Sequence, residues 1–101
     1  MRGLFLEKNM VNLTRFDNGF TLVTEKLVGS RTSVAYFSVG AGSGNETPSN
    51  NGISHFTEHM MFKGTSKYTA EQIARKFEDM GVMNNAFTSR EGTCYYVKSM
   101  D

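Results

Sequence analysis

The first third of the chain alternates between β-forming segments and turn residues. Apolar and β-branched residues flank Asp17–Asn18–Gly19, three residues that tolerate positive φ. This pattern predicts a β-hairpin over residues 11–23. The next segment, residues 32–39, is apolar at nearly every position, which predicts a strand buried on both faces. A loop rich in Gly, Ser and Asn follows it and holds Pro48, the only proline of the chain.

Two helices are predicted after this loop. The first runs from about Ser49–Asn51 to Phe62 or Lys63, and Gly64 is placed to end it. The second begins after Thr69 and ends before Gly81. Its start is marked by a capping box, in which a threonine is followed three residues later by glutamine. Its apolar stripe recurs with the helical period at Ala70, Ile73, Ala74, Phe77 and Met80.

The chain then returns to extended structure. "NNAFTS" and "TCYYVKS" predict two strands, separated by Arg90–Glu91–Gly92. Three strands, two helices and two further strands indicate an α+β fold. We expect a largely antiparallel sheet with both helices packed on one face. A chain of 101 residues is long enough for one domain at most.

Composition excludes several classes of function. Eleven Lys and Arg against ten Asp and Glu give a net charge of +1, which argues against a protein that binds nucleic acid or an acidic membrane surface. No apolar segment approaches the length of roughly 18 residues needed to span a bilayer. The only cysteine, Cys94, allows neither an intrachain disulfide nor a thiolate zinc cluster. Its apolar surroundings predict a small buried hydrophobe rather than a nucleophile.

The segment with candidate chemistry is "HFTEH", which starts at His55. On a helix, Glu58 lies about 60° to one side of His55 and His59 about 40° to the other. All three side chains therefore share one arc of the helix. Two imidazole nitrogens on successive turns can reach one metal ion at about 2.0–2.1 Å. The glutamate between them is placed as a general base rather than as a ligand.

A solvated polar face is the alternative interpretation of these residues. The apolar positions of this helix, Ile53, Phe56, Met60 and Met61, lie on its opposite side, which argues against buried structural histidines. Both histidines of the chain occupy the motif, and we favour a metal site. A motif of five residues is weak by itself, and the site still needs a third ligand.

The surrounding sequence is much more specific than the motif. His-x-x-Glu-His is the inverted zinc motif of the inverzincins. "NNGISHFTEHMMFKGTSKYT" resembles the active-site segment of the pitrilysin/insulinase family of zinc peptidases, especially its bacterial processing proteases and the β-subunit of mitochondrial processing peptidase. The hairpin over residues 16–25, "VGAGSGNE" and "NAFTSREGTCYYVKSMD" extend the resemblance over most of the chain.

This resemblance implies a zinc metalloendopeptidase that hydrolyses peptide bonds with one Zn²⁺ ion. It implies that His55 and His59 bind the zinc and that Glu58 activates water. It also implies that residues 85–87 (Asn85, Ala86 and Phe87) lie on an edge strand that pairs with the substrate backbone. From composition alone, an ordinary strand is the preferred interpretation of those three residues.

The same resemblance implies that part of the site lies outside this sequence. The family takes its third ligand from a glutamate on a later helix, beyond Asp101, and forms its substrate chamber with a second related domain or subunit. Residues 1–101 are thus expected to be a partial N-terminal peptidase domain, weak or inactive alone. A non-catalytic structural or partner-binding remnant of the family is the alternative. We expect a cytoplasmic location, or the mitochondrial matrix in a eukaryote.

A nucleotide-binding loop is the remaining alternative interpretation of this sequence. Gly40, Gly42 and Gly44 follow a predicted strand and precede a helix, but a dinucleotide-binding fingerprint needs glycine where Asn45 stands. No Gly-Lys-Ser/Thr sequence follows either. We therefore interpret the three glycines as turn-forming residues.

Overall fold

The computed structural model describes residues 10–100, which form two compact units that divide between Arg31 and Thr32. In the first unit, β1 (Met10–Arg15) pairs antiparallel with β2 (Thr21–Lys26). The Phe16 N–H donates to the Phe20 carbonyl and the Gly19 N–H donates to the Phe16 carbonyl, both over 2.9 Å. Gly19 has φ 86°, in the left-handed region that glycine adopts without a steric penalty. The predicted hairpin is confirmed.

The second unit is a three-stranded antiparallel sheet with two helices. Its strand order is β3-β5-β4, so β5 is central and β4 is an edge strand of this sheet. This arrangement confirms the predicted α+β fold. The elements are β3 (Thr32–Val39), a short 3₁₀ helix (Ser43–Asn45), α1 (Ile53–Met60), α2 (Ala70–Asp79), β4 (Met83–Thr88) and β5 (Thr93–Met100).

Both helices lie on the same face of the sheet. Alternate residues of β4, from Asn84 to Thr88, are half-buried on that face, while the residues between them are exposed. Beyond α1, the ring of Phe62 lies 6.3 Å from the ring of Tyr95 on β5, centroid to centroid. Apolar residues of α2, including Phe77, line a cavity of about 200 Å³ together with Asn84 and Phe62.

The termini of α2 agree with the sequence. The Gln72 N–H donates to Thr69 Oγ1 over 3.2 Å, and the Thr69 N–H donates to Gln72 Oε1 over 2.9 Å. This reciprocal pair is the predicted capping box. Gly81 follows the helix with φ 64°, as expected for a glycine just beyond a helix C-terminus.

α1 starts later than predicted, and its N-terminus is capped by the side chain of Glu46, a residue of the preceding loop. Gly52 has φ 91°, a left-handed conformation that stops the helix from extending toward Ser49. The Glu46 carboxylate then accepts two hydrogen bonds, at Oε1 from the Gly52 N–H (2.8 Å) and at Oε2 from the Ser54 N–H (2.9 Å). These bonds satisfy amide groups that a helix leaves unpaired at its N-terminus. At the other end, α1 finishes at Met60, two or three residues before the predicted end at Phe62 or Lys63.

The prediction that β3 is buried on both faces is wrong for the described residues. The strand forms as predicted, but all eight of its residues are exposed. The helices lie over β4 and β5, and they leave a cavity of about 490 Å³ that Phe37 and Phe77 help to line. Among residues 10–100, Cys94 is the buried hydrophobic side chain (8% exposed), as predicted, and Thr93 is buried beside it (7%).

The interpretation of the loop glycines also needs correction. Gly40, Gly42 and Gly44 have no positive φ, so turn geometry does not require glycine there. Gly42 and Gly44 instead permit close approach to the turn between β4 and β5. The Ser43 N–H donates to the Ser89 carbonyl (2.9 Å), and the Gly44 N–H donates to the Arg90 carbonyl (2.8 Å). Neither helix of the described residues has the length and apolar character to cross a membrane.

Candidate metal centre

The two histidines of the motif converge on one side of α1. The Nε2 atoms of His55 and His59 lie 2.9 Å apart, and the ring centroids are 4.5 Å apart with the planes inclined by 68°. Both rings are exposed. The spacing of four residues on a helix therefore brings two potential ligand atoms together at the helix surface, as predicted from helix geometry.

This pair fits a tetrahedral zinc ion. Two nitrogens at zinc–nitrogen distances of about 2.0–2.1 Å would be roughly 3.3 Å apart, slightly farther than the two atoms are now. A small rotation of either ring about its side-chain bonds supplies the difference. Neutral imidazole nitrogens are also among the ligands that zinc prefers. His55 and His59 could thus hold the ion without a change in the backbone.

Glu58 is half-buried and is held by the sheet rather than by the histidines. The Thr88 hydroxyl donates to Glu58 Oε2 over 2.5 Å, at the short end of the range for a hydroxyl bound to a carboxylate. Thr88 is the last residue of β4, and the register of β4 and β5 places it opposite Thr93. Among residues 10–100, no third His, Cys, Asp or Glu joins the two histidines in a metal-ligating group.

Tyr95 is electrostatically coupled to the same carboxylate. It lies on the helix-facing side of β5, opposite Ala86 of β4. Burial raises the pKa of Tyr95, and the negative charge of Glu58 raises it further. The Tyr95 hydroxyl therefore stays protonated and neutral at neutral pH, within the electrostatic influence of the Glu58 carboxylate.

The predicted substrate-binding residues lie along the edge strand. Asn85 and Phe87 are exposed on the face away from the helices, and Ala86 is half-buried on the helix face. The Ala86 N–H donates to Asn85 Oδ1 over 2.8 Å. Within residues 10–100, no hydrogen bond or ring contact joins any of these three residues to the histidine pair. The next residue along this strand, Thr88, connects it to Glu58.

Sequence reasoning missed three residues that shape the site: Glu46, Thr88 and Tyr95. The alternation of β4 carried a signal for one of them, because Thr88 is two residues after Ala86 and must share its face. The hydrogen bonds between Glu46 and the start of α1 had no comparable signal in the sequence, because they depend on how the loop before α1 folds back toward the helix. The backbone N–H of Ser54 and then that of Gly52 hold the pKa of the Glu46 carboxyl below its ordinary value of 4.5.

Comparison with known proteins adds evidence that is independent of this geometry. Residues 21–101 match the family described as Insulinase (Peptidase family M16). The chain is 47% identical over 92 residues to a Bacillus subtilis protein named uncharacterized zinc protease YmxG. It is also 47% identical over 87 residues to the mitochondrial-processing peptidase subunit beta of Dictyostelium discoideum. These alignments cover 91% and 85% of this chain.

The fold has a close counterpart among solved structures. A protease from Helicobacter pylori superposes with a TM-score of 0.84, at 27% sequence identity and over 91% of this chain. This chain spans only about a fifth of its relatives: 22% of the Bacillus protein, 18% of the Dictyostelium subunit and 22% of the Helicobacter chain. The similarity therefore concerns one segment of each of these longer relatives.

Proposed function

The chain belongs to the insulinase family of peptidases, M16, and we propose that it contributes the zinc-binding helix of a zinc metalloendopeptidase. His55 and His59 hold one zinc ion, and Glu58 is the general base. The observation that carries this proposal is the convergence of the two Nε2 atoms, 2.9 Å apart, on the helix that also bears Glu58. The placement of these three residues on α1 supports the proposed roles.

The proposed reaction is hydrolysis of a peptide bond. Zinc, when bound, supplies a Lewis acid that polarises the scissile carbonyl and lowers the pKa of water. Glu58 accepts the proton of the attacking water and delivers it to the leaving amine. The Thr88 hydroxyl engages Oε2, so Oε1 is the oxygen left for proton transfer. The neutral Tyr95 hydroxyl adds no second negative charge beside this carboxylate.

We also propose that the substrate adds a strand to the edge of β4. Strand addition supplies backbone hydrogen bonds without requiring one substrate sequence. Asn85, Ala86 and Phe87 are the residues proposed to receive the peptide. Because Asn85 Oδ1 now accepts the Ala86 N–H, a peptide carbonyl that binds there must displace the Asn85 side chain. The cost of that displacement is one exposed hydrogen bond.

The third zinc ligand is proposed to come from a family segment outside residues 10–100. Within those residues no third ligand joins the histidines. The apolar cavity beside β3, of about 490 Å³, is a surface that such a segment or subunit would cover. We place the complete enzyme in the cytoplasm or, as the name of the Dictyostelium relative allows, in mitochondria.

A non-catalytic role in binding a partner is the second candidate. The observation that favours it is the same absence of a third ligand among the described residues. The two candidates differ in one respect. A peptidase segment must bind zinc through both histidines, whereas a remnant that only binds a partner needs neither of them.

Two variants test the proposal, measured for zinc content and for cleavage of a fluorogenic peptide library. The chain is assayed alone and with added family domains that supply the missing ligand. Glu58→Gln should retain zinc and abolish the cleavage gained on mixing, because it removes only the base. His59→Ala should lose both. Glu91→Gln, an acidic residue of the β4–β5 turn, is the matched control. Zinc content unchanged by His59→Ala would refute the site.

A further inference from the structure

Glu58 is one of three potential metal ligands on one side of α1, yet it does not join the other two in a ligand group. The two histidine nitrogens approach to 2.9 Å, while no described third His, Cys, Asp or Glu completes a ligand group with them. A carboxylate on the same arc of the helix would be a natural third ligand, since zinc accepts Asp and Glu oxygens readily. Its carboxylate binds Thr88 of the sheet instead.

The contact that holds it is the hydrogen bond from Thr88. This bond joins Oγ1 of Thr88 to Oε2 of Glu58 over 2.5 Å, across 30 positions of sequence. A hydroxyl bound to a carboxylate is among the stronger hydrogen bonds in proteins. The Thr88 backbone is fixed by pairing with Thr93 and by the turn after it, where the Ser89 N–H donates to the Gly92 carbonyl over 2.8 Å.

We infer that Thr88 is a positioning residue that keeps Glu58 out of the zinc coordination sphere and so reserves it as a base. This inference rests on the proposed function, because it assumes that His55 and His59 bind the ion. A glutamate bound directly to zinc would share its negative charge with the metal, which lowers its basicity and makes it a poorer acceptor of a proton from water. The edge strand thereby determines which residue acts as ligand and which as base.

The test is zinc affinity, measured by competition with a chelator at neutral pH on the 101-residue chain. Thr88→Val keeps the β-branched shape and removes the hydroxyl, so Glu58 is free to swing toward the ion. The variant should bind zinc more tightly, by roughly tenfold. Thr88→Ser keeps the hydroxyl and should bind as the wild type does. Thr88→Ala is a second variant without the hydroxyl, and its affinity should also rise.

The double variant Thr88→Val/Glu58→Gln identifies the source of the gain. Its affinity should equal that of Glu58→Gln alone, because the added ligand is the Glu58 carboxylate. An affinity of Thr88→Val and Thr88→Ala equal to or below that of the wild type overturns the inference. A gain that persists without Glu58 also overturns it. If His59→Ala leaves zinc binding unchanged, the proposed function fails instead, so the two failures can be told apart.

Discussion

The backbone of Gly42 packs so closely against Ser89 that a Cβ atom on Gly42 would overlap the Ser89 carbonyl oxygen. The same Cβ would lie 2.7 Å from the backbone nitrogen of Gly92. Both neighbours are backbone atoms of the β4–β5 turn and cannot move aside as a flexible side chain can. This contact joins the loop before α1 to the strand that ends at Thr88, and so it helps to place the base relative to the sheet.

Gly42→Ala is therefore expected to destabilise the chain by about 1–3 kcal/mol, the usual cost of overpacking that displaces backbone. Gly40→Ala is the matched control, because a Cβ on Gly40 meets nothing within 4 Å and Gly40 has no positive φ. Its stability should stay within about 0.5 kcal/mol of the wild type. Chemical denaturation measures both variants. Equal stability of the two variants would show that the close contact has no structural role.

A second prediction concerns acid and the start of α1. The amides of Ser54 and Gly52 lower the folded-state pKa of Glu46. A lowered pKa means that Glu46 stabilises the fold above its ordinary value of 4.5, and that this contribution is lost as the pH falls through the folded value. We expect the amide proton shifts of Gly52 and Ser54 to change together in that acidic range.

The controls for this titration separate Glu46 from general acid effects. Glu46→Gln should remove the transition at both amides, because a neutral side chain has no proton to gain there. Glu25→Gln, in the hairpin, should leave it in place. A transition that survives Glu46→Gln would assign it to another carboxylate.

A third prediction uses Tyr95 to report on the charge of Glu58. Burial, and then the Glu58 carboxylate, raise the pKa of Tyr95. In Glu58→Gln the pKa should fall toward the ordinary value of 10.0 but stay above it, because burial remains. A ¹³C NMR titration of the Tyr95 ring measures this change. An unchanged pKa in the variant would mean that the carboxylate and the phenol are not coupled.

Local signals in the sequence were sufficient for the elements whose ends are fixed by neighbouring residues. The Thr69 and Gln72 capping box formed as predicted because both partners lie within one helical turn. The approach of His55 to His59 follows in the same way from helix geometry, which fixes residues four positions apart on one side.

Features that depend on distant partners could not be predicted. The start of α1 depends on Glu46, six positions before Gly52, and not on a residue within the predicted start at 49–51. The bond from Thr88 to Glu58 depends on the register of a strand against a helix 30 positions away. The exposure of β3 was not predicted. An apolar run indicates that a strand suits a buried position, but it does not show whether another part of the chain covers that strand.

X-ray absorption at the zinc edge tests the central claim most directly, since it counts the imidazole ligands of the bound ion. For the zinc-loaded chain we predict two histidine nitrogens at about 2.0–2.1 Å. Glu58→Gln should give the same two ligands, and His59→Ala should lose the two-histidine signature. A wild-type spectrum without imidazole scattering, or one that His59→Ala leaves unchanged, would contradict the assignment of His55 and His59 as the zinc ligands.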